Sequence, residues 1–195
     1  MKAFVIDSPG KTSFANVPEP VLGDGEVLLR VRTVGYCGTD LSTFRGVNPL
    51  VSYPRIPGHE LGCTIEAIGA DVPAGLRVGQ DVLVHPYKAC GRCSACRQRR
   101  FNCCRDNETL GVQREGGMSE LLSVPWETIY TSDKLSLRQM VLVEPLTIGY
   151  HAVKRGRVTH GDTVAVFGCG AIGIGVLAAA INQGATAIEI GRAHV

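Results

Sequence analysis

His59 and Glu60, side by side in YPRIPGHELG, are groups that a protein interior accepts only with partners, because an unpaired buried imidazole or carboxylate costs several kcal/mol. A divalent cation satisfies both. Two further ligand types stand beside a glycine or proline that fixes their direction: Cys37 in YCGTD and Glu144 in LVEPL. Cysteine, histidine and carboxylate together are the ligands of a zinc site that keeps one coordination position open to water or substrate. The plainer alternative, a capped histidine in a loop and an unrelated buried cysteine, is weighed against the rest of the chain.

A second set of metal ligands follows. Cys90, Cys93, Cys96 and Cys104 read C-x2-C-x2-C-x7-C, and gaps of two residues in a tight loop let successive thiolates point at one tetrahedral centre. On spacing alone Cys103 serves as the fourth ligand as well as Cys104 does. Four sulfurs leave no open position, so this site is expected to staple a loop and take no part in chemistry. Arg92, Arg97, Arg99, Arg100 and Arg105 share the segment and invite a reading as a zinc-ribbon nucleic-acid module. A single lobe in a chain with a second candidate metal site favours arginines that solvate the lobe and offset the charge of a four-thiolate zinc.

Gly168-Cys169-Gly170-Ala171-Ile172-Gly173 matches G-x-G-x-x-G. The string alone is common; here it follows the strand-like TVAVFG and opens the helix-like IGIGVLAAAINQ, the setting of a dinucleotide-binding fingerprint. Gly168 permits the turn, Gly170 lets backbone approach a pyrophosphate, and Gly173 lets helix pack on strand. Ala171 and Ile172 begin the helix whose N-terminus favours an anion.

These groups need a scaffold, and the chain supplies two kinds. Up to about residue 124 it runs in short β-like segments, KAFVI, EVLLRVRTV, TIEAIG, DVLVHP and SELLSV, broken by Gly, Pro and Asp. Val27, Leu29 and Val31 alternate with Leu28, Arg30 and Arg32, as a strand with one wet face requires. An all-β, barrel-like domain is expected. After Ser136 the period turns helical, with Pro145 placed to end one helix and start another. TVAVFG then reads as a parallel-type strand buried on both faces.

Composition bounds the rest. The 195 residues are 45% apolar with a net charge of +2, which suits a globular protein drawn to neither nucleic acid nor an acidic membrane. The start, MKAFVIDSPGK, reads as a strand and not as an export signal, so a cytoplasmic location is expected. Eight cysteines in that compartment point to metal or catalysis in place of disulfides. The uncharged run over residues 164–181 approaches membrane-span length, but its glycines suit the nucleotide loop better.

Taken in this order, the Cys37 and Gly58-His59-Glu60 site, the four-cysteine lobe and the nucleotide loop resemble the zinc-containing medium-chain alcohol dehydrogenases over nearly the whole chain. Glu60 followed by Glu144 in EPL is similar to the sorbitol-dehydrogenase-like, polyol and sugar-acid branch. The resemblance implies a two-domain α+β and α/β architecture: a GroES-like β-barrel catalytic domain over residues 1–150, with its structural zinc lobe at 88–106, and the first part of a Rossmann NAD(P)-binding domain over 151–189. It assigns Cys37, His59, Glu60 and Glu144 to the catalytic zinc, Glu144 directly or through its water, and it picks Cys104 with Cys90, Cys93 and Cys96 for the structural zinc. Thr39 matches the hydroxyl that meets the alcohol, and Asp40 the carboxylate beneath the loop. Ser42 departs from the pattern, standing where many relatives carry a relay histidine, so the proton route is expected to end in water or at Glu60. The implied reaction is hydride transfer from a secondary alcohol, a small-molecule polyol or sugar acid, to NAD or NADP, in a homodimer or homotetramer. Ser42 and Thr43 are expected to be exposed and to line a polar pocket. A threonine-type amino-alcohol dehydrogenase is the nearest rival, although those more often carry aspartate where Glu144 stands.

The end of the chain breaks this pattern. A second strand begins at ATAIE and is expected to reach an acidic residue for the ribose, yet IGRAHV follows. Residues 189–195 back-translate to a string similar to a widely used sequencing adapter. Residues 190–195 are therefore expected to be an artefact, and Arg192 is not read as selecting NADP. Two strands and one helix cannot close a nucleotide-binding sheet, so the chain is expected to be an inactive fragment of a longer protein.

Overall fold

The computed structural model describes residues 1–191. In chain order the elements are β1 (Lys2–Ser8), β2 (Lys11–Asn16), β3 (Glu26–Gly35), α1 (Gly38–Phe44), β4 (Glu60–Ile68), β5 (Asp81–Val84), β6 (Tyr87–Lys88), α2 (Ser94–Arg97), β7 (Glu108–Thr109), β8 (Leu121–Pro125), β9 (Ile129–Thr131), α3 (Leu137–Arg155), β10 (Thr163–Phe167), α4 (Ala171–Asn182) and β11 (Thr186–Ile190). They fall into two units, Met1–Val141 and Leu142–Val195, with the division inside α3.

The first unit is built on a five-stranded antiparallel sheet in the order β8-β3-β4-β5-β9. Its inward faces carry the alternating apolar residues: Val27 and Leu29 of β3, Leu61, Cys63 and Ile65 of β4, and Val82 and Val84 of β5 close into one core with Leu110, Leu122 and Val124. Backbone bridges Ala3↔Ser119 and Ile6↔Arg55 tie the β1-β2 hairpin to this body. The short pair β6-β7 frames the base of the cysteine lobe. The alternation in β3 set the buried face.

Cys63 is fully buried in that core, and loss of solvent pushes its thiol up to about 12. In the unfolded chain the thiol ionises near pH 8.5. The group therefore contributes full stability below that value, and the contribution falls as pH rises toward its folded pKa. Above about pH 9, stability should drop by about 1.4 kcal/mol per pH unit more in the native protein than in Cys63→Val. Urea titrations of both at pH 8, 9 and 10 measure this; parallel slopes would contradict it.

In the second unit, α4 joins the parallel strands β10 and β11, paired from Thr163↔Thr186 to Phe167↔Ile190. Val153, Ala179 and Ala180 form its core, with Val158, Val164 and Val176 packed around them. α3 packs on α4 at two glycines: a Cβ on Gly149 would lie 2.4 Å from the Gly175 carbonyl carbon.

Two expectations are corrected here. Pro145 does not separate two helices; it lies inside the continuous 19-residue α3. Proline removes one bond, from its own nitrogen to the Val141 carbonyl, and the turns on either side carry the helix through it. Nor is β10 buried on both faces. Val166 faces the core, but Phe167 is 75% exposed and Ala165 is also exposed, because among the described residues α4 covers one face only. No helix of the described residues is long and apolar enough to cross a membrane.

Candidate metal centres

Cys37 caps the N-terminus of α1 with extended backbone (φ −96°, ψ 154°). Its N–H donates to Asp40 Oδ2 at 2.9 Å, and the other oxygen of Asp40 accepts the Gly58 N–H at 3.2 Å. Asp40, 3% exposed, therefore binds the Cys37 turn to the Gly58-His59 turn, 18 residues on. His59 Nδ1 lies 3.8 Å from Asp40 Oδ1. Gly58 adopts φ +99°, a left-handed conformation that glycine takes freely, and a Cβ there would sit 2.9 Å from Met118 Cγ.

Glu60 begins β4, paired with Gly35 at the end of β3. It and His59 are 8% and 5% exposed. Ligand atoms of Cys37, His59 and Glu60 lie within 4.8 Å of one another. A hydrogen bond with His59, first, and then contacts with Thr39 draw the Cys37 thiol below its ordinary value, against the effect of burial. Burial pushes the Glu60 carboxyl up, with His59 opposing and Asp40 reinforcing the shift. A half-buried thiol drawn toward thiolate, a buried imidazole and a buried carboxylate, their ligand atoms within 4.8 Å of one another, fit a zinc ion by donor type and spacing. Thr39 Oγ1 stands 3.6 Å from Cys37 Sγ.

Cys90, Cys93, Cys96 and Cys104 form the second group, their sulfurs also within 4.8 Å of one another. Cys93 and Cys96 are 3.5 Å apart, Cys90 and Cys96 4.0 Å, and the Cys90 N–H donates to Cys104 Sγ at 3.2 Å. Such sulfur spacings suit one tetrahedral zinc with bonds near 2.3 Å. Backbone N–H donors, that of Cys96 first and Arg105 next, hold the Cys93 thiol down at about 6. Cys103 is exposed at the end of the 3-10 turn Phe101–Cys103 and stays outside the group of four sulfurs.

Glu144, expected as a fourth ligand, lies half-buried on α3 in the second unit, and the first ligand group among the described residues consists of Cys37, His59 and Glu60. Ser42 is half-buried. Thr43 is fully buried, not exposed as expected: its hydroxyl donates to the Thr39 carbonyl at 2.9 Å and accepts from Asn48 Nδ2 at 3.3 Å, so it braces α1. In the nucleotide loop Gly168 turns at φ +111°, and Gly170 caps α4, whose first residues are Ala171 and Ile172. Gly173 is half-buried; the buried glycine at the helix contact is Gly175, which the fingerprint does not single out. Gly35 was also missed, since an isolated glycine at a strand end carries no signal. Arg192 and the rest of the tail beyond residue 191 lie outside the described residues.

Residues 23–136 match the family model of the alcohol dehydrogenase GroES-like domain. An L-galactonate-5-dehydrogenase of Escherichia coli is 39% identical over 96% of this chain and 55% of its own length. A sorbitol dehydrogenase of Bacillus subtilis is 35% identical over 97% of this chain and 55% of its own. Among solved structures, a zinc-binding dehydrogenase of Sinorhizobium meliloti bound to NADP superposes with a TM-score of 0.90 at 32% identity, over 96% of this chain and 55% of that one. The chain spans about half the length of the relatives it matches. With its antiparallel body matched by that domain and its β10-α4-β11 unit aligned to the start of a nucleotide-binding fold, the chain belongs to the zinc-containing medium-chain alcohol dehydrogenase family.

Proposed function

We propose that the whole protein is a zinc-dependent oxidoreductase that moves hydride from a secondary alcohol of a polyol or sugar acid to NAD or NADP. The observation that carries this reading is the gathering of Cys37, His59 and Glu60 by one buried carboxylate, Asp40, at the junction of α1 and β4. A zinc ion held by these three would supply Lewis-acid activation of the alcohol hydroxyl. Asp40 fixes the two ligand-bearing turns in register. Thr39 Oγ1, beside the Cys37 sulfur, takes the hydroxyl proton and hands it outward, and Ser42, with no basic group, leaves water to complete the route. Gly168 and Gly170 bring backbone and the α4 N-terminus to the cofactor pyrophosphate. Cys90, Cys93, Cys96 and Cys104 would hold a structural zinc. The names of the relatives support the substrate class.

The test uses the complete protein. Cys37→Ser should lower zinc from about two to about one per chain and reduce turnover of a polyol and sugar-acid panel, followed as reduced cofactor, by roughly 10³-fold or more. Full turnover with the zinc lost would overturn the assignment.

A further inference from the structure

The four-cysteine lobe does more than close on its metal: together with the edge of the barrel sheet it walls a cavity of about 560 Å³. That volume lies within the range of small-molecule sites. The barrel contributes His85, just past β5, and Tyr130 of β9; the Tyr87 side chain comes from β6, and the lobe and its exit give Phe101, Asn102 and Asn107. None of these belongs to the Cys37, His59 and Glu60 group.

The chemistry of the walls selects the occupant. No lysine, arginine or carboxylate lines the cavity, so a charged ligand would lose its hydration without compensation. The His85 ring meets Tyr87 at 5.1 Å and 67°, and Tyr130 at 6.4 Å and 63°, so aromatic faces stand at steep angles around the space. Tyr87, Phe101 and Tyr130 are 39%, 54% and 54% exposed, large apolar surfaces left to water. The polar groups beside them are two carboxamides, each able to donate and accept; Asn107 is held in place by donating to Thr109 Oγ1 at 3.3 Å. Loss of solvent keeps His85 below its ordinary value against a hydrogen bond to the Tyr87 backbone, so at pH 7 the ring is neutral, its N–H given to that backbone and its other nitrogen an acceptor.

Apolar ring faces beside paired donor-acceptor groups, without charge, match one ligand class: a ring with a C–H face and a rim of hydroxyls. We infer that this cavity is a second ligand site, binding an uncharged sugar ring between the barrel edge and the cysteine lobe. A flat aromatic ligand would use the rings and leave the carboxamides unmatched; a cation would find faces but no counter-charge.

Saturation-transfer NMR on the full chain, loaded with zinc, tests this with methyl glycosides of glucose, galactose and mannose, with p-cresol and choline as comparison probes. At least one glycoside should receive saturation, strongest on its ring C–H protons and stronger than either comparison probe. Tyr130→Ala and Asn102→Ala should each weaken it about tenfold, and Tyr130→Phe should change it little, since the ring face is kept. Cys37→Ser should leave the signal intact, which separates this site from the proposed catalytic one and makes a failure of either reading visible on its own. Absence of saturation for all three glycosides, preference for p-cresol or choline, survival of the signal in both alanine variants, or its loss in Cys37→Ser would each overturn the inference.

Discussion

Gly35→Ala should empty the Cys37, His59 and Glu60 group while the four-cysteine lobe stays loaded. Gly35 and Glu60 are opposed residues of β3 and β4, and a Cβ on Gly35 would fall 2.1 Å from Glu60 Oε2, 2.9 Å from Glu60 Cβ and 2.9 Å from Val141 Cγ1. Carbon atoms in good contact sit at about 3.5–4.0 Å. The backbone cannot give way cheaply, because the neighbouring pair Val34↔Leu61 leads directly into the packed core. The Glu60 side chain must leave instead. Zinc in the complete protein should fall from about two to about one per chain, and kcat/KM by roughly 10²-fold or more, against an overpacking cost of about 1–3 kcal/mol in stability. Gly38→Ala serves as the control, since a Cβ there meets nothing within 4 Å. A double variant sharpens the test: once Glu60→Ala has removed the obstructing carboxylate, adding Gly35→Ala should cost much less than it does alone. Two zincs and native turnover in Gly35→Ala would show that Glu60 is aimed by something other than the missing Cβ.

This dependence was invisible in the sequence, and the reason is geometric. Candidate ligands are written in residue type and local spacing, so Cys37, His59, Glu60 and Glu144 and the four lobe cysteines were legible as two sets; the structure gathers the four cysteines, and of the first set Cys37, His59 and Glu60. The alternation of Val27 and Leu29 with Leu28 and Arg30 was legible for the same reason: it is local, and one buried face follows from it. What holds the ligands is nonlocal. Gly35 matters because β4 returns beside β3 in one particular register, and the Thr43 hydroxyl is bonded by Thr39 and by Asn48, five residues on. Resemblance had marked Asp40, but its two bonds, to Cys37 and across to Gly58, depend on how α1 sits over the second turn. Pro145 misled because a proline signals a helix break only when the flanking turns cannot carry the helix across it. TVAVFG misled in the opposite direction. An apolar strand says what it can bury, while what covers it is decided by other segments, and here α4 covers the Val166 side alone.

Cys96→Ser should unfold the lobe and spare the barrel. The span from Cys90 to Cys104 has little of its own to hold it: α2 is four residues long, the 3-10 turn three, and Cys96 is the one ligand sulfur whose residue is buried. Structural zinc contributes about 10–16 kcal/mol of apparent binding energy in isolated zinc-finger peptides, and where binding and folding coincide that energy is folding energy. Loss of one thiolate from a closed four-sulfur shell should therefore remove the metal and release the loop. Five arginines, at 92, 97, 99, 100 and 105, lie in that loop, and Arg99 is held at φ +58°, a conformation that only a folded loop imposes on a residue with a Cβ. Trypsin should cut the Cys96→Ser protein after Arg92 through Arg105 at least about 10²-fold faster than the native one, with the fragments 1–92 and 106 onward resisting further digestion. Stripping zinc from the native protein with a chelator should reproduce the cut. Cys103→Ser should do neither, because its thiol stands outside the sulfur group. Equal sensitivity of Cys103→Ser and Cys96→Ser would mean that the lobe is held by the chain around it and not by the four sulfurs, and native resistance in Cys96→Ser would remove the metal from the account of its stability.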